Sequence, residues 1–301
     1  MKPHGASTVY LHAAGVPLID ALHARFPQID RATWRQRFQR QRVLDEQGRA
    51  LEADALSHAG QCVHYFREVA DEPRIDAAEH VVHADADLVV ADKPPLLPVM
   101  PAGRFVSETL LARLRSCLGN PDLVPLHRID RDTSGLVLFS ARKASRAAYV
   151  QLFTSRRIEK IYQAQVHLAK AAELPTERAS RIVRGEPFFR MCEVEGRANA
   201  HTRIEVIARH GDLATVRLQP VTGRKHQLRV HMAALEAPIL NDRLYPQLGE
   251  VDSDDADRPL ALLAHSLAFI DPLTGKRRVF HSQRMLAPLA SAPDGPDMHG
   301  Q

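Results

Sequence analysis

The chain has 301 residues, 45% hydrophobic and 25% charged, the balance of a globular protein rather than a fibrous or disordered one. It has no apolar run of about eighteen residues, and no apolar core follows Met1-Lys2-Pro3-His4-Gly5, which argues against a membrane span and a secretory leader. Cys62, Cys117 and Cys192 lie far apart with no Cys-x-x-Cys pair, which argues against a disulfide framework and a cysteine zinc site and makes a reducing cytoplasm the expected location.

Residues 1–14 have no clear period and predict a loose leader. Val16, Ile19, Leu22 and Phe26 space a short amphipathic helix with Pro17 in its first turn, and Pro27 breaks it. Asp30 is placed to cap a second, basic helix, Arg31–Arg40, with Trp34 and Phe38 four apart. Val43-Leu44, a turn at Gln47-Gly48 and a strand over Cys62–Phe66 complete a small unit expected over 1–75. An acidic stretch, 67–78, with Pro73 has the composition of a linker.

Val81–Ala91 predicts two strands about a polar turn, ending at Asp92-Lys93-Pro94-Pro95. Ser107 is the expected cap of a helix running to Leu118, with Leu110, Leu111, Leu114 and Leu118 on one face. Gly135 opens the apolar run Leu136–Phe139, a buried strand. A helix is expected over Ser145–Phe153, and strands over 164–168, 200–206 and 214–218. The polar segment 169–200 reads as irregular strands or an insert. Thr222 and Gly223 are expected to cap and turn into a helix beyond them. Leu260–Ile270 reads as a buried helix-to-strand segment, followed by a turn and a strand over Arg278–His281. Residues 249–258 read as an acidic loop, and 287–301, rich in Pro, Ala, Ser and Gly, as a disordered tail.

The net charge of +4 is modest, but the cations cluster. Arg31, Arg35, Arg37, Arg40 and Arg42 form one group, Arg142 to Lys160 a second, and Arg224, Lys225 and Arg229 a third. Such grouping favours a phosphate backbone as partner. The most chemically loaded stretch is 125–139. His127, Arg128, Asp130, Arg131 and Asp132 crowd directly against the buried strand, as when a loop carries chemistry and the strand behind it holds it still.

His127-Arg128-Ile129-Asp130 with Asp132-Thr133-Ser134-Gly135 resembles the signature of the RluA-type pseudouridine synthases, with Ile129 in place of the usual Leu. A second stretch, Thr222-Gly223-Arg224-Lys225-His226-Gln227-Leu228-Arg229-Val230-His231, resembles another motif of that family, and Lys160-Ile161-Tyr162 a third. Two departures stand out: Leu96-Leu97 replace a glycine-led sequence after the Lys-Pro pair, and Asn241 stands where glycine is usual. The resemblance implies an α+β pseudouridine synthase fold over 76–286, a mixed, mainly antiparallel sheet flanked by helices with a basic cleft across it. The two helices and strands of 1–75 resemble, more loosely, a small RNA-binding module.

The resemblance also implies roles. Asp130 would be the catalytic carboxylate, Tyr162 an aromatic partner of the target uracil, and Arg229 the cation beside Asp130, with Arg224 its rival. Arg128 would enter the RNA as the base is extruded, with His127, Arg224, Lys225, His226 and Gln227 along the bound RNA. Turning uridine into pseudouridine breaks and remakes a bond to the sugar without redox change, so neither metal nor cofactor is called for. A carboxylate can act as nucleophile or as base, and both remain open. His226 and His231 are five apart, poor spacing for zinc on one helical face, and Ser134 lacks a Gly-x-Ser-x-Gly elbow. The expected partner is structured RNA, rRNA or tRNA, bound by a monomer. The alternative is a non-catalytic RNA-binding or ribosome-assembly protein on the same fold.

Overall fold

The computed structural model describes residues 6–66, 72–249 and 255–289. Of the predicted leader, linker, acidic loop and tail, residues 1–5, 67–71, 250–254 and 290–301 lie outside the described residues. The chain divides into two compact units, Met1–Asp71 and Glu72–Gln301.

The first unit comprises β1 (Ser7–Tyr10), α1 (Leu18–Arg25), α2 (Arg31–Gln39), β2 (Val43–Leu44) and β3 (Cys62–Tyr65), its strands ordered β1-β3-β2. Part of the expected leader is therefore a strand; four residues are too short to show a period, and β1 is fixed by antiparallel pairing with β3. Asp30 caps α2 by accepting from the Thr33 amide at 2.7 Å. Leu18, Leu22, Trp34, Phe38, Val43 and Val63 form the core, each large side chain contributing about 1.5–3 kcal/mol on burial. Arg37 does not join the other clustered arginines in facing a phosphate backbone: it is buried, its guanidinium 4.8 Å above the Trp34 ring.

The second unit begins with β4 (His80–Ala84), β5 (Leu88–Lys93), α3 (Leu110–Leu118), β6 (Val124–Pro125), β7 (Ser134–Ser140) and α4 (Lys143–Thr154). It continues through β8 (Ile158–His167), β9 (Glu177–Arg184), β10 (Met191–Val194), β11 (Ala200–His210), β12 (Leu213–Pro220), α5 (Gln227–Ala234), β13 (Leu262–Ile270) and β14 (Arg277–His281). The main path across the sheet is β10-β9-β11-β12-β8-β13-β7-β5-β4, with β14 on β13 and β6 on β7. Among the described residues, strand pairing is antiparallel except between β13 and β7. β5 and β7 are apolar on both sides because helices cover both: Val89, Val137 and Phe139 pack with α3 residues, Leu88, Leu136 and Leu138 with Tyr149 and Leu152 of α4.

Three expected local features take another form. Thr109, not Ser107, caps α3, its hydroxyl accepting from the Ala112 amide. Thr222 caps nothing; α5 starts after His226, which has φ +56°. Leu260–Ile270 contains no helix; its apolar residues belong to β13, buried between β8 and β7, where a continuous apolar run suits a strand as well as a helix.

The register of β13 ties the loop before β7 to β8. Gly135 pairs with Ala264, which pairs with Tyr162, so the strand that follows Asp130 and the strand that carries Tyr162 are two spacings apart, about 10 Å. Gly135 has φ +106°, and a Cβ there would lie 2.3 Å from the Ala264 carbonyl oxygen. Gly135→Ala is expected to lower stability by roughly 2–4 kcal/mol and to shift the Asp130 loop. Urea denaturation checks the first, and a wild-type midpoint would refute it.

Candidate active site

A cleft of about 700 Å³ opens over the strand ends of the second unit. One wall is the loop that carries Arg128 and Asp130, another is β8 with Lys160 and Tyr162, and a third is the 220–229 segment leading into α5. The turn Pro98–Ala102 closes one side. Asp130, Tyr162 and Arg229, distant in sequence, thus line one cavity with Arg128, Arg224 and Lys225.

Arg229 Nη1 lies 3.5 Å from Asp130 Oδ2, and His226 Nε2 lies 3.9 Å from Asp130 Oδ1. The firmer partner of Arg229 is Asp242: Nε donates to Oδ2 at 2.8 Å and Nη2 to Oδ1 at 2.6 Å, a bidentate pair. Asp132 Oδ2 is a further 3.8 Å neighbour of the guanidinium. Burial works against the Arg229 charge, but Asp242, then Asp130 and Asp132, hold its pKa above the ordinary guanidinium value. Arg229 is thus a cation clamped by one carboxylate and offered to another. The rival, Arg224, turns away, its Nε donating to the Asn199 carbonyl at 3.2 Å.

Tyr162 adds an aromatic face; burial, then the charge of Asp130, pushes its hydroxyl pKa up, so it stays protonated. His127 accepts a hydrogen bond from the Leu138 amide at Nε2 and stacks on Phe153 at 4.8 Å. Burial, then Lys160, pulls its pKa down to about 3, so it is neutral at physiological pH. His226 Nδ1 meets the Tyr245 hydroxyl at 2.8 Å. The Gln227 amide is fully used within the protein. Its nitrogen donates to the His201 carbonyl and the Thr202 hydroxyl, and its oxygen accepts from Thr222 and the Arg224 amide. Gln227 shapes the turn and leaves no free position for a ligand. Lys225 Nζ donates to the Phe189 carbonyl at 2.8 Å at the rim, while Arg128 is exposed in the cleft wall.

Two groups escaped sequence reasoning. Asp242 follows Asn241 directly, and nothing local marks it as the partner of a residue thirteen positions back. Lys93, fully buried, donates from Nζ to the Pro94 and Arg131 carbonyls at 2.8 Å each, so it grips the loop between Asp130 and Asp132. Burial pulls its pKa down to about 7, against Asp132 and Asp130. The two departures from the family pattern also gain a meaning. Leu96 has φ +65° and Asn241 φ +62°, the left-handed region where glycine is free; asparagine tolerates it and leucine is strained.

His127 and the fully buried His231, whose ring meets Thr202 at 2.9 Å and Ser180 at 3.1 Å, give a pH prediction. Burial lowers His231 to about 4, so both bind protons more weakly folded than unfolded. Between pH 6.5 and about 4 the unfolded chain takes up more protons, so stability falls as pH falls through that window. The urea midpoint is expected to decline there, less steeply in His127→Gln; a flat profile would contradict it.

An open cavity whose floor holds a carboxylate beside a clamped guanidinium and a protonated tyrosine, and whose rim is cationic, is equipped for enzyme chemistry on a polyanion. Similarity narrows this class. Residues 87–234 match the family model described as RNA pseudouridylate synthase. The dual-specificity RNA pseudouridine synthase RluA of Vibrio cholerae is 36% identical over 205 residues, covering 64% of this chain and 77% of that protein. An uncharacterised RNA pseudouridine synthase of Synechocystis is 30% identical over 233 residues, covering 76% and 79%. Among solved structures, human RNA pseudouridylate synthase domain containing 1 superposes with a TM-score of 0.55 at 26% identity, covering 71% of this chain and 86% of that one. The chain belongs to the RluA-type family of RNA pseudouridine synthases, which are isomerases. Among the described residues no helix is long and apolar enough to cross a membrane.

Proposed function

We propose that the protein isomerises specific uridines of structured RNA, rRNA or tRNA, to pseudouridine, with Asp130 as the catalytic carboxylate. The observation that carries this assignment is the 3.5 Å approach of Arg229 to Asp130 on the floor of a cationic cleft. At ~4 Å and an effective dielectric of about 20, such a pair attracts by about 4 kcal/mol before desolvation.

A stacked uridine cannot reach Asp130, so it is extruded into the cleft, with exposed Arg128 occupying the gap it leaves. The flipped uracil lies against the Tyr162 ring. Asp130 meets the sugar at C1′ as nucleophile, or takes a proton as base, while the bond from C1′ to N1 breaks. The uracil turns and C5 bonds to C1′ as the bond from Asp130 to C1′ breaks, or, on the base route, as Asp130 returns the proton it took; the proton on C5 then leaves as N1 gains one, and Asp130 ends as the free carboxylate. Lys225 and Arg224 hold phosphates at the rim; His127, His226 and Gln227 position the walls. The unit Met1–Asp71, with the basic helix α2, adds a further RNA contact. The enzyme works as a cytoplasmic monomer.

The deciding experiment is to incubate the purified protein with rRNA and tRNA from cells lacking its gene and to map pseudouridine at nucleotide resolution. New pseudouridine at a defined position is expected. RNA binding without any new pseudouridine would favour the assembly-protein alternative.

A further inference from the structure

A second depression, of about 430 Å³, adjoins the cleft and shares Arg156, Lys160 and Val221 with it. It leads over the strand ends toward Arg203 on β11 and Arg277 on β14. The register decides which way these side chains face. Ile204 and Leu218 point into the core, so their neighbours Arg203 and Gln219, paired across β11 and β12, point to the opposite face. Ala268 pairs with Glu159, and two residues on, Ile270 pairs with Arg277, so this row lies on the same outer face. From β11 to β14 the row crosses four strand spacings, about 19 Å, enough for several phosphates.

The charges along it are unbalanced. Arg156, Arg157, Lys160, Arg203 and Arg277 line the depression against one carboxylate, Glu159, which is held by Gln219 at 3.4 Å. Among the described residues, Arg156, Arg203 and Arg277 pair with no carboxylate. Glu177, across the strand from Arg203, is engaged by His201 at 3.0 Å. By contrast Arg217, exposed on the same face, is paired with Glu205 at 2.6 Å. Unpaired arginines in a row that starts at the rim of the cleft form a surface complementary to a nucleic-acid backbone.

We propose that this basic track is a second phosphate-binding surface, which receives the RNA strand flanking the target uridine as it leaves the cleft over the lip at Arg156 and Lys160. The proposal rests on the RNA-modifying function above and adds what fixes the reach of the substrate: RNA must extend past the target loop to be held fully.

The test is Arg203→Gln with Arg277→Gln in the full chain, both exposed and remote from Asp130. On a long structured RNA the expected result is roughly tenfold weaker binding and a higher KM at unchanged kcat. The slope of log affinity against log salt should flatten by about 1.5, two contacts at 0.7–0.9 each. On an RNA trimmed to the target hairpin, variant and wild type should agree. Wild-type affinity and salt slope on the long RNA would overturn the track, as would an equal loss on both RNAs. If no pseudouridine forms with the wild type, the function fails while the affinity comparison still decides the track.

Discussion

Asp130→Asn is expected to lower turnover by about 10²–10⁴-fold or more, the scale on which a positioned acid–base group contributes, equivalent to roughly 2.7–5.5 kcal/mol in the barrier. RNA affinity should stay within about twofold, because the cations of the rim are untouched. The wiring of the site makes this variant informative. Asp130 is partly exposed and only one of three carboxylates around Arg229. Its replacement by an amide of the same shape leaves Arg229 clamped by Asp242, so the guanidinium is not stranded and the fold should hold its wild-type urea midpoint. A folded, RNA-binding, inactive variant therefore isolates the charge and nucleophilicity of the carboxylate. Release of the C5 hydrogen from tritium-labelled uridine in RNA reads the reaction directly, since C5 exchanges that hydrogen for C1′. Turnover near that of the wild type would remove Asp130 from the chemistry.

How much of this was visible beforehand depends on how local each feature is. The strand Leu136–Phe139, the Asp30 cap and the hairpin about Asp85–Asp87 follow from residues within a few positions of one another, and all three are present. The neighbourhood of Asp130 and Arg229 was legible only through motif resemblance, since no periodicity brings together residues ninety-nine apart. The illegible features are the ones that long-range pairing decides. The parallel contact of β7 with β13 explains Gly135, and it depends on a segment more than a hundred residues later. Arg37 counted among the clustered cations expected to meet a phosphate backbone, yet tertiary packing buries it on Trp34. Leu96 and Asn241 looked like simple departures from a pattern; only their positive φ angles explain why glycine is the usual occupant.

Asp242→Ala should do what Asp130→Asn does not. Asp242 and Arg229 side chains are 1% and 2% exposed, and Asp242 Oδ1 also accepts from the Leu244 and Tyr245 amides. Removing it leaves a buried guanidinium without its bidentate partner, a change that costs about 3–5 kcal/mol, and frees two backbone donors. The remaining carboxylates, at 3.5 and 3.8 Å, then compete to neutralise Arg229, which draws Asp130 out of position. Stability and turnover should therefore fall together, with kcat down at least about tenfold under conditions where the variant is still folded. Asp242→Asn keeps the acceptor for the two amides and should lose less stability. Pairing Arg229→Met with Asp242→Leu separates the two roles, because a buried ion pair replaced by apolar side chains of similar volume is often no less stable. That double variant should regain much of the lost urea resistance and none of the turnover. Recovery of both would mean that the clamp serves packing alone, and an Asp242→Ala protein as stable as the wild type would mean that it serves neither.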